Sequence, residues 1–261
     1  MSNKLAVVTG ASTGIGLELA RLAAQEGYDL IVVADEPQIR GVSEEFGKYD
    51  VKVESVEADL SGIDGVDQLL SATAGRPIDV LIANAGVGTG GPFLEQDISK
   101  WRHSIDTNVT GTVYLLQKVL RDMVARGEGR VLVTGSIAGY IPGAFNAIYN
   151  ATKSFINYFT EALRNELKDV DGVTLTTLMP GATDTAFFAR AGMLDTEVGQ
   201  DDDKADPAKV ARDGWSAMMA GKGHIVSGVS NKLQVAASGV VPQSVLAEMH
   251  RGMAEPGSAK D

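Results

Sequence analysis

The sequence predicts an α/β fold, doubly wound, with a parallel sheet of about seven strands covered by helices on both faces. Three observations carry this reading: seven short apolar runs are spread along the chain, longer segments of helical period separate them, and turn residues close each segment. Strands joined by helix-length crossovers run parallel with right-handed connections, and a sheet built that way is buried on both sides. The 261 residues suffice for one good-sized core. Residues 1–261 therefore read as a single domain with a C-terminal helical extension.

In chain order, the first strand is LAVV (5–8), followed by the glycine-rich TGASTGIG (9–16). The next segment, GIGLELARLAAQEG, sets Leu17, Ala20, Leu22 and Ala24 near one another and ends at Gly27, a helix stop. Further strands are expected at LIVVA (30–34), VKVESV (51–56), DVLIA (79–83), RVLVT (130–134), TLTTLM (174–179) and HIVS (224–227). Long helices are expected over about 97–126 and 147–168. Residues 229–261 form a tail that includes VLAEMHRGM, again of helical period. No repeat, low-complexity tract or dividing linker interrupts this order.

Composition narrows the function. A net charge of −11 repels nucleic-acid phosphate and anionic lipid, so neither is an expected partner and a small-molecule substrate is. Without cysteine there is no disulfide, thiol nucleophile or thiolate metal site. Asp201, Asp202 and Asp203 read as a solvated loop, and no metal site is expected. The opening apolar run, Leu5 to Val8, is too short for a secretory leader, and no stretch reaches the ~18 apolar residues of a membrane span. The expected location is cytoplasmic.

TGASTGIG can be parsed in two ways. Gly10 to Gly14 fits G-x-S-x-G, the turn that presents a serine nucleophile; Gly10, Gly14 and Gly16 fit a dinucleotide pyrophosphate turn. Position favours the second, because a serine elbow follows a central strand after several earlier ones, whereas this turn follows the first. Its parts then have distinct uses: Gly10 turns the chain, Gly14 admits phosphate to the backbone, Gly16 packs the helix, and Ser12, Thr13 and Ile15 complete the lining. Asp35 ends the second strand 19 residues beyond Gly16, the place of a carboxylate that accepts ribose hydroxyls. Asp59-Leu60 and Asn84-Ala85-Gly86 follow the third and fourth strands, on the same edge of the sheet.

TGASTGIG, Asp59-Leu60, ANAG (83–86), Asn108 in DTNVTG, GSIAG (135–139), YNATK (149–153) and PGATDT (180–185) resemble, in order and spacing, the motifs of the short-chain dehydrogenase/reductase family. The resemblance covers about residues 5–185. It implies a Rossmann fold, binding of NAD(H) or NADP(H), and oxidation of alcohols or reduction of carbonyls. It also implies Asn108, Ser136, Tyr149 and Lys153 as the catalytic group, and places Pro180, Gly181, Thr183 and Thr185 over the nicotinamide. In that scheme Ser136 bonds the reacting oxygen, and Lys153 holds the nicotinamide ribose. Asn108 fixes either a water or the helix geometry for proton relay.

The Tyr–Lys pair also stands on chemistry. Hydride transfer to a carbonyl needs a proton donor, and a phenol with pKa ~10 is neutral at pH 7. One cation at ~4 Å in an effective dielectric near 20 contributes roughly 4 kcal/mol, about three pKa units, so Lys153 is expected to lower the Tyr149 pKa toward neutrality. Four residues apart, the two share a helix face, with Phe155, Phe159 and Leu163 on the opposite, core-facing stripe. A second such pair, Tyr114 and Lys118, lies six residues past Asn108 and roughly 9 Å further from the ligand edge, which makes Tyr114 a packing or interface residue.

NAD(H) is the favoured cofactor, because residues 35 and 36 are both acidic and Thr13 stands where many NADP(H)-using members carry a basic residue; Arg40 keeps NADP(H) open. Residues 184–205 are expected to form a substrate lid. Phe187 and Phe188, with Met193, Leu194, Tyr140, Ile141, Pro142 and Phe145, point to an apolar secondary alcohol or ketone. The resemblance further implies a homodimer or homotetramer paired through the two long helices. Two other functions stay open at this stage: a dinucleotide-binding redox sensor without turnover, and an isomerase or dehydratase that retains its cofactor.

Overall fold

The computed structural model describes residues 3–259. The sheet contains β1 (Leu5–Thr9), β2 (Asp29–Ala34), β3 (Val53–Glu57), β4 (Val80–Ala83), β5 (Gly129–Thr134), β6 (Val173–Met179) and β7 (His224–Val226). All neighbours are parallel, in the order β3-β2-β1-β4-β5-β6-β7. Strand order reverses between β1 and β4, so the loops leaving their carboxyl ends part and open a crevice. Each predicted strand is present, with ends displaced by up to two residues: β3 starts at Val53 rather than Val51.

Between the strands lie α1 (Gly14–Gln25), α2 (Val42–Glu45), α3 (Ile63–Ala72), α4 (Ile98–Ile105), α5 (Thr112–Arg126), α6 (Ala147–Glu166), α7 (Phe187–Arg190), α8 (Glu197–Gln200) and α9 (Pro207–Met219). The tail adds α10 (Val229–Ser238) and α11 (Gln243–Ala254). Alternate residues of β1 enter opposite cores: Leu5 and Val7 join α3, α5 and α6, while Ala6 and Val8 join α1 and α9. Leu19, Ala20, Ala23 and Ala24 form the buried stripe of α1, with Leu17 and Leu22 at its half-buried margin. The expected set was thus rotated by part of a turn, and the alanines let α9 approach closely.

Two departures from expectation position the site. The helix expected over 97–126 is interrupted by a π-helical turn at Asp106–Gly111. Gly111 there lies so close to the Leu60 carbonyl that a Cβ would sit 1.8 Å from its oxygen, and the extra residue of the π turn directs Asn108 inward. The second departure corrects the amphipathic reading of α6. Its buried residues are Asn150, Thr152, Lys153, Ile156, Asn157 and Thr160, while Phe155 is 44% and Tyr158 64% exposed. Phe159 and Leu163 are half-buried against the core, but Phe155 stacks on Phe159 at the surface. The buried face of α6 is the polar one, because its side chains find hydrogen-bond partners at the sheet edge.

Candidate active site

The glycine turn is a backbone cradle. Gly10 and Gly14 have φ of +63° and +60°, and a Cβ on Gly16 would lie 2.1 Å from the Gly10 carbonyl oxygen. Asn84 braces this turn: its Nδ2 donates to the Thr9 and Gly10 carbonyls, and its Oδ1 accepts from the Thr134 hydroxyl. The Thr9 hydroxyl in turn accepts the Asn84 and Ala85 N–H groups, both at 2.9 Å. Among the described residues no side chain caps α1, and its first turn has no acidic residue, which suits the start of the helix to an anion. Ile15 packs its side chain on the core and offers only its backbone there. The serine-elbow parsing has no support: Ser12 Oγ donates to Glu36, His224 is exposed on β7, and His250 sits against the Ala144 carbonyl.

At the end of β2, Asp35 is exposed and Glu36 is half-buried. The Glu36 carboxylate accepts from Ser12 (3.1 Å) and from Arg190 (2.6 Å), which comes from α7. Arg40 is paired with Glu57 at 2.7 Å. Asp59 accepts from the Ser61 N–H, and Leu60 is buried in the core, so only its backbone remains for a ligand.

Asn108 Oδ1 accepts from the Val87 N–H (2.8 Å), and its Nδ2 donates to the Val87 carbonyl and to Thr152 Oγ1 (2.9 Å each). Thr152 donates to the Tyr149 carbonyl. Both amide hydrogens of Asn108 are thus committed within the protein, tying the loop after β4 to α6. Ser136 closes β5 and caps the short 3₁₀ turn Ile137–Tyr140; its hydroxyl accepts from the Ala138 N–H and donates to the Pro180 carbonyl. Asn157 grips the Ser136 backbone at both its N–H and its carbonyl. Lys153 is 5% exposed and donates to the Thr134 carbonyl at 2.8 Å, and Gly86 lies against both its ammonium and Asn108. The decoy Tyr114 hydrogen-bonds Asp67 at 2.9 Å, away from this group.

Protonation differs from the expectation. Burial pushes the Tyr149 phenol up from the ordinary 10 to about 12, with a smaller downward pull from the Ser136 hydroxyl. The residue as a whole is half-buried. Burial also pushes Lys153 down to about 8. The anticipated lowering of Tyr149 by Lys153 is therefore reversed: the ammonium is anchored on Thr134, stands 5.8 Å from the ring centroid, and is itself weakened by desolvation.

Phe187 packs on the Tyr149 ring with centroids 4.9 Å apart. The loop after β4 makes room for it: a Cβ on Gly88 would lie 2.5 Å from Phe187, and one on Gly90 would lie 2.4 Å from Met193. Phe188 faces inward with Ala191, Met193 and Ala254, joined by Phe145 and Phe187. Tyr140 does not join this cluster; it bonds Met179 Sδ and meets Tyr158 edge-on beside a separate open groove of about 890 Å³. Leu194 is 52% exposed. Thr183 is buried and bonds the Gly181 carbonyl, whereas Thr185 rests against Gly14. Residues 183 and 205 are bridged, so the intervening segment leaves and re-enters at one point. Sequence reasoning missed Thr9, Thr152, Asn157 and Arg190; a polar helix face beside the Tyr–Lys pair was the available signal for Thr152 and Asn157.

A parallel sheet split at a glycine-lined, anion-attracting crevice, with a phenol, a hydroxyl and a buried ammonium at its edge, defines a dinucleotide-fold oxidoreductase. The chain belongs to the short chain dehydrogenase family, whose model it matches over residues 4–193. It is 31% identical over 215 residues to an uncharacterized oxidoreductase of Staphylococcus aureus, covering 81% of this chain and 89% of that protein. Among solved structures, a short-chain dehydrogenase from Sphingobium yanoikuyae in complex with NADPH is 25% identical with TM-score 0.80, covering 92% and 97% of the two chains. A Burkholderia phymatum short chain dehydrogenase/reductase in complex with NAD shares the fold at TM-score 0.80 and 22% identity, over 90% and 92%.

Proposed function

We propose that this protein transfers hydride between a nicotinamide dinucleotide and an apolar secondary alcohol or ketone, with Tyr149 as the proton donor and acceptor. The observation that carries the proposal is the meeting of Ser136, Tyr149 and Lys153 at the crevice edge, roofed by Phe187. The residues present fit such a cofactor. The glycine cradle leaves no room for a Cβ at residue 16, and the start of α1 offers unpaired N–H groups to a pyrophosphate. Lys153 spends one of its three N–H donors on Thr134 and has no carboxylate partner among the described residues, which leaves donors for ribose hydroxyls. Bound there, the nicotinamide supplies or takes the hydride.

Ser136 orients the reacting oxygen, and Tyr149 gives it a proton in reduction. The phenol is neutral at pH 7 on its ordinary pKa and burial raises that value further, so the acid is loaded for reduction; oxidation demands that it first lose that proton. Asn108 is a positioning residue through Val87 and Thr152. NAD(H) is the preferred cofactor: two carboxylates, Asp35 and Glu36, occupy the ribose corner, and Arg40 and Arg190 are each held by a glutamate. The Sphingobium relative's NADPH makes the comparison of both cofactors part of the test. Residues 184–205 act as the lid, with Phe187 as its contact to the catalytic group. Exposed Phe155 and Tyr158 give α6 an apolar face for pairing into a homodimer or homotetramer. No helix among the described residues is long and apolar enough to cross a membrane.

The test is a panel of apolar ketones with NADH and with NADPH, followed at 340 nm, for the native protein and Tyr149→Phe. The variant is expected to lose about 10²–10⁴-fold in kcat while binding NADH within twofold of the native protein. Near-native turnover by Tyr149→Phe would refute the assignment.

A further inference from the structure

We propose that the C-terminal helix α11 is a positioning element of the substrate pocket, with His250 holding the loop that precedes Tyr149 and the residues after the helix holding the 184–205 segment. Both ends of this strap lie beyond residue 193, where the match to the family model stops.

At the first end, a ring nitrogen of His250 lies 2.8 Å from the Ala144 carbonyl. A carbonyl only accepts, so Nδ1 carries the proton. The next residue, Phe145, has φ of +62°, a left-handed conformation uncommon for a bulky side chain. Three contacts hold it there. Its carbonyl accepts from the Gly91 N–H at 2.8 Å, the Arg251 guanidinium stands 4.9 Å from its ring centroid, and the ring packs with Phe187 and Phe188. Strained residues persist only where their surroundings over-determine them; of these three contacts the tail supplies Arg251, and through His250 it also holds the preceding residue, Ala144.

At the other end, Ala254 is 1% exposed among Phe188, Ala191 and Met193. Past the helix, the Gly257 N–H donates to the Asp195 carboxylate and the Ala259 N–H to the Asp195 carbonyl, both at 3.1 Å. Ser258 Oγ accepts from the Glu197 N–H at 3.0 Å. His250 and Ala254 are about one helical turn apart. A single rigid turn therefore joins the loop four residues before Tyr149 to the segment that lays Phe187 on its ring. The strap sets the spacing across the pocket, and with it the size of substrate that can reach the phenol.

Hydrogen exchange on the full chain tests this without requiring turnover, so the outcome is separable from the oxidoreductase reading. In His250→Ala, amides of residues 143–147 and 187–198 should exchange about fivefold faster, the effect of one lost hydrogen bond, while residues 10–16 and NADH affinity stay unchanged. His250→Gln, whose amide can donate to Ala144, should restore most of the protection. Ser258→Ala provides a milder second variant and should loosen 195–200 with the same loop. On any ketone the protein reduces, His250→Ala should raise KM with kcat retained. Unchanged exchange in both segments, loosening confined to 143–147, or an equal rise at residues 10–16 would overturn the proposal.

Discussion

Around the glycine turn, backbone meets backbone: Gly16 lies against the Gly10 carbonyl, and Asn84 stitches β1 to β5 with fixed hydrogen bonds. Across the crevice, ring meets ring: Phe187 on Tyr149 and Phe188 edge-on to Phe187, with Phe145 packed against the same cluster. The first kind of contact tolerates almost no added atom, since no flexible side chain can yield. The second is graded, because apolar neighbours can repack at modest cost. Contacts of the first kind hold one geometry; contacts of the second kind can be retuned.

Three substitutions test that contrast. The largest effect is expected from Gly16→Ala, whose Cβ would be driven into the Gly10 carbonyl. NADH affinity, measured by fluorescence titration, should fall about a hundredfold, corresponding to about 3 kcal/mol of overpacking. A loss under fivefold would mean that the turn yields as readily as the aromatic side.

Lys153→Met comes next and probes the boundary between the halves. The native lysine is buried without a carboxylate partner among the described residues, and its pKa lies below the ordinary 10.5, at about 8. The unfolded chain therefore holds a proton that the folded chain releases between about pH 8 and 10.5. The resulting penalty is fully present below pH 8, and stability gained through this group rises with pH across that window. Replacement by methionine should stabilise the protein at pH 7 by about 1–3 kcal/mol in urea unfolding, erase that rise, and abolish turnover. A variant less stable than the native protein at pH 7 would show that the Thr134 bond outweighs burial.

Phe187→Ala should have the smallest effect, a loss of about 1–2 kcal/mol of stability from its two aromatic pairs, with Tyr149 and Phe188. It should raise KM for ketones several-fold and leave NADH affinity unchanged. Equal losses in both would erase the distinction between the two sides.

The parts legible in the sequence were those encoded locally. The strands reveal themselves as apolar runs, the glycine turn as three residues within seven, and Tyr149 and Lys153 as neighbours one helical turn apart. The missed contacts span long separations. Glu36 and Arg190 are 154 residues apart, and His250 and Ala144 are 106 apart. Asn108 reads as a motif residue, but its committed amide hydrogens became evident only with Val87 and Thr152 in place. Phe155 misled because an aromatic at helical spacing ordinarily marks the core, and here the partners of α6 were polar.

From the order of residues alone followed the parallel sheet, the crevice edge and the candidate for the reacting group, since each depends on backbone propensity or on spacing along one element. Tertiary structure alone decided which face of α6 is covered, that burial raises the Tyr149 phenol where Lys153 was expected to lower it, and that the tail reaches the loop before Tyr149. Periodicity gives a helix two faces without naming the neighbour that will cover one. A side chain's proton affinity likewise depends on the atoms that replace its water, and those come from the whole chain.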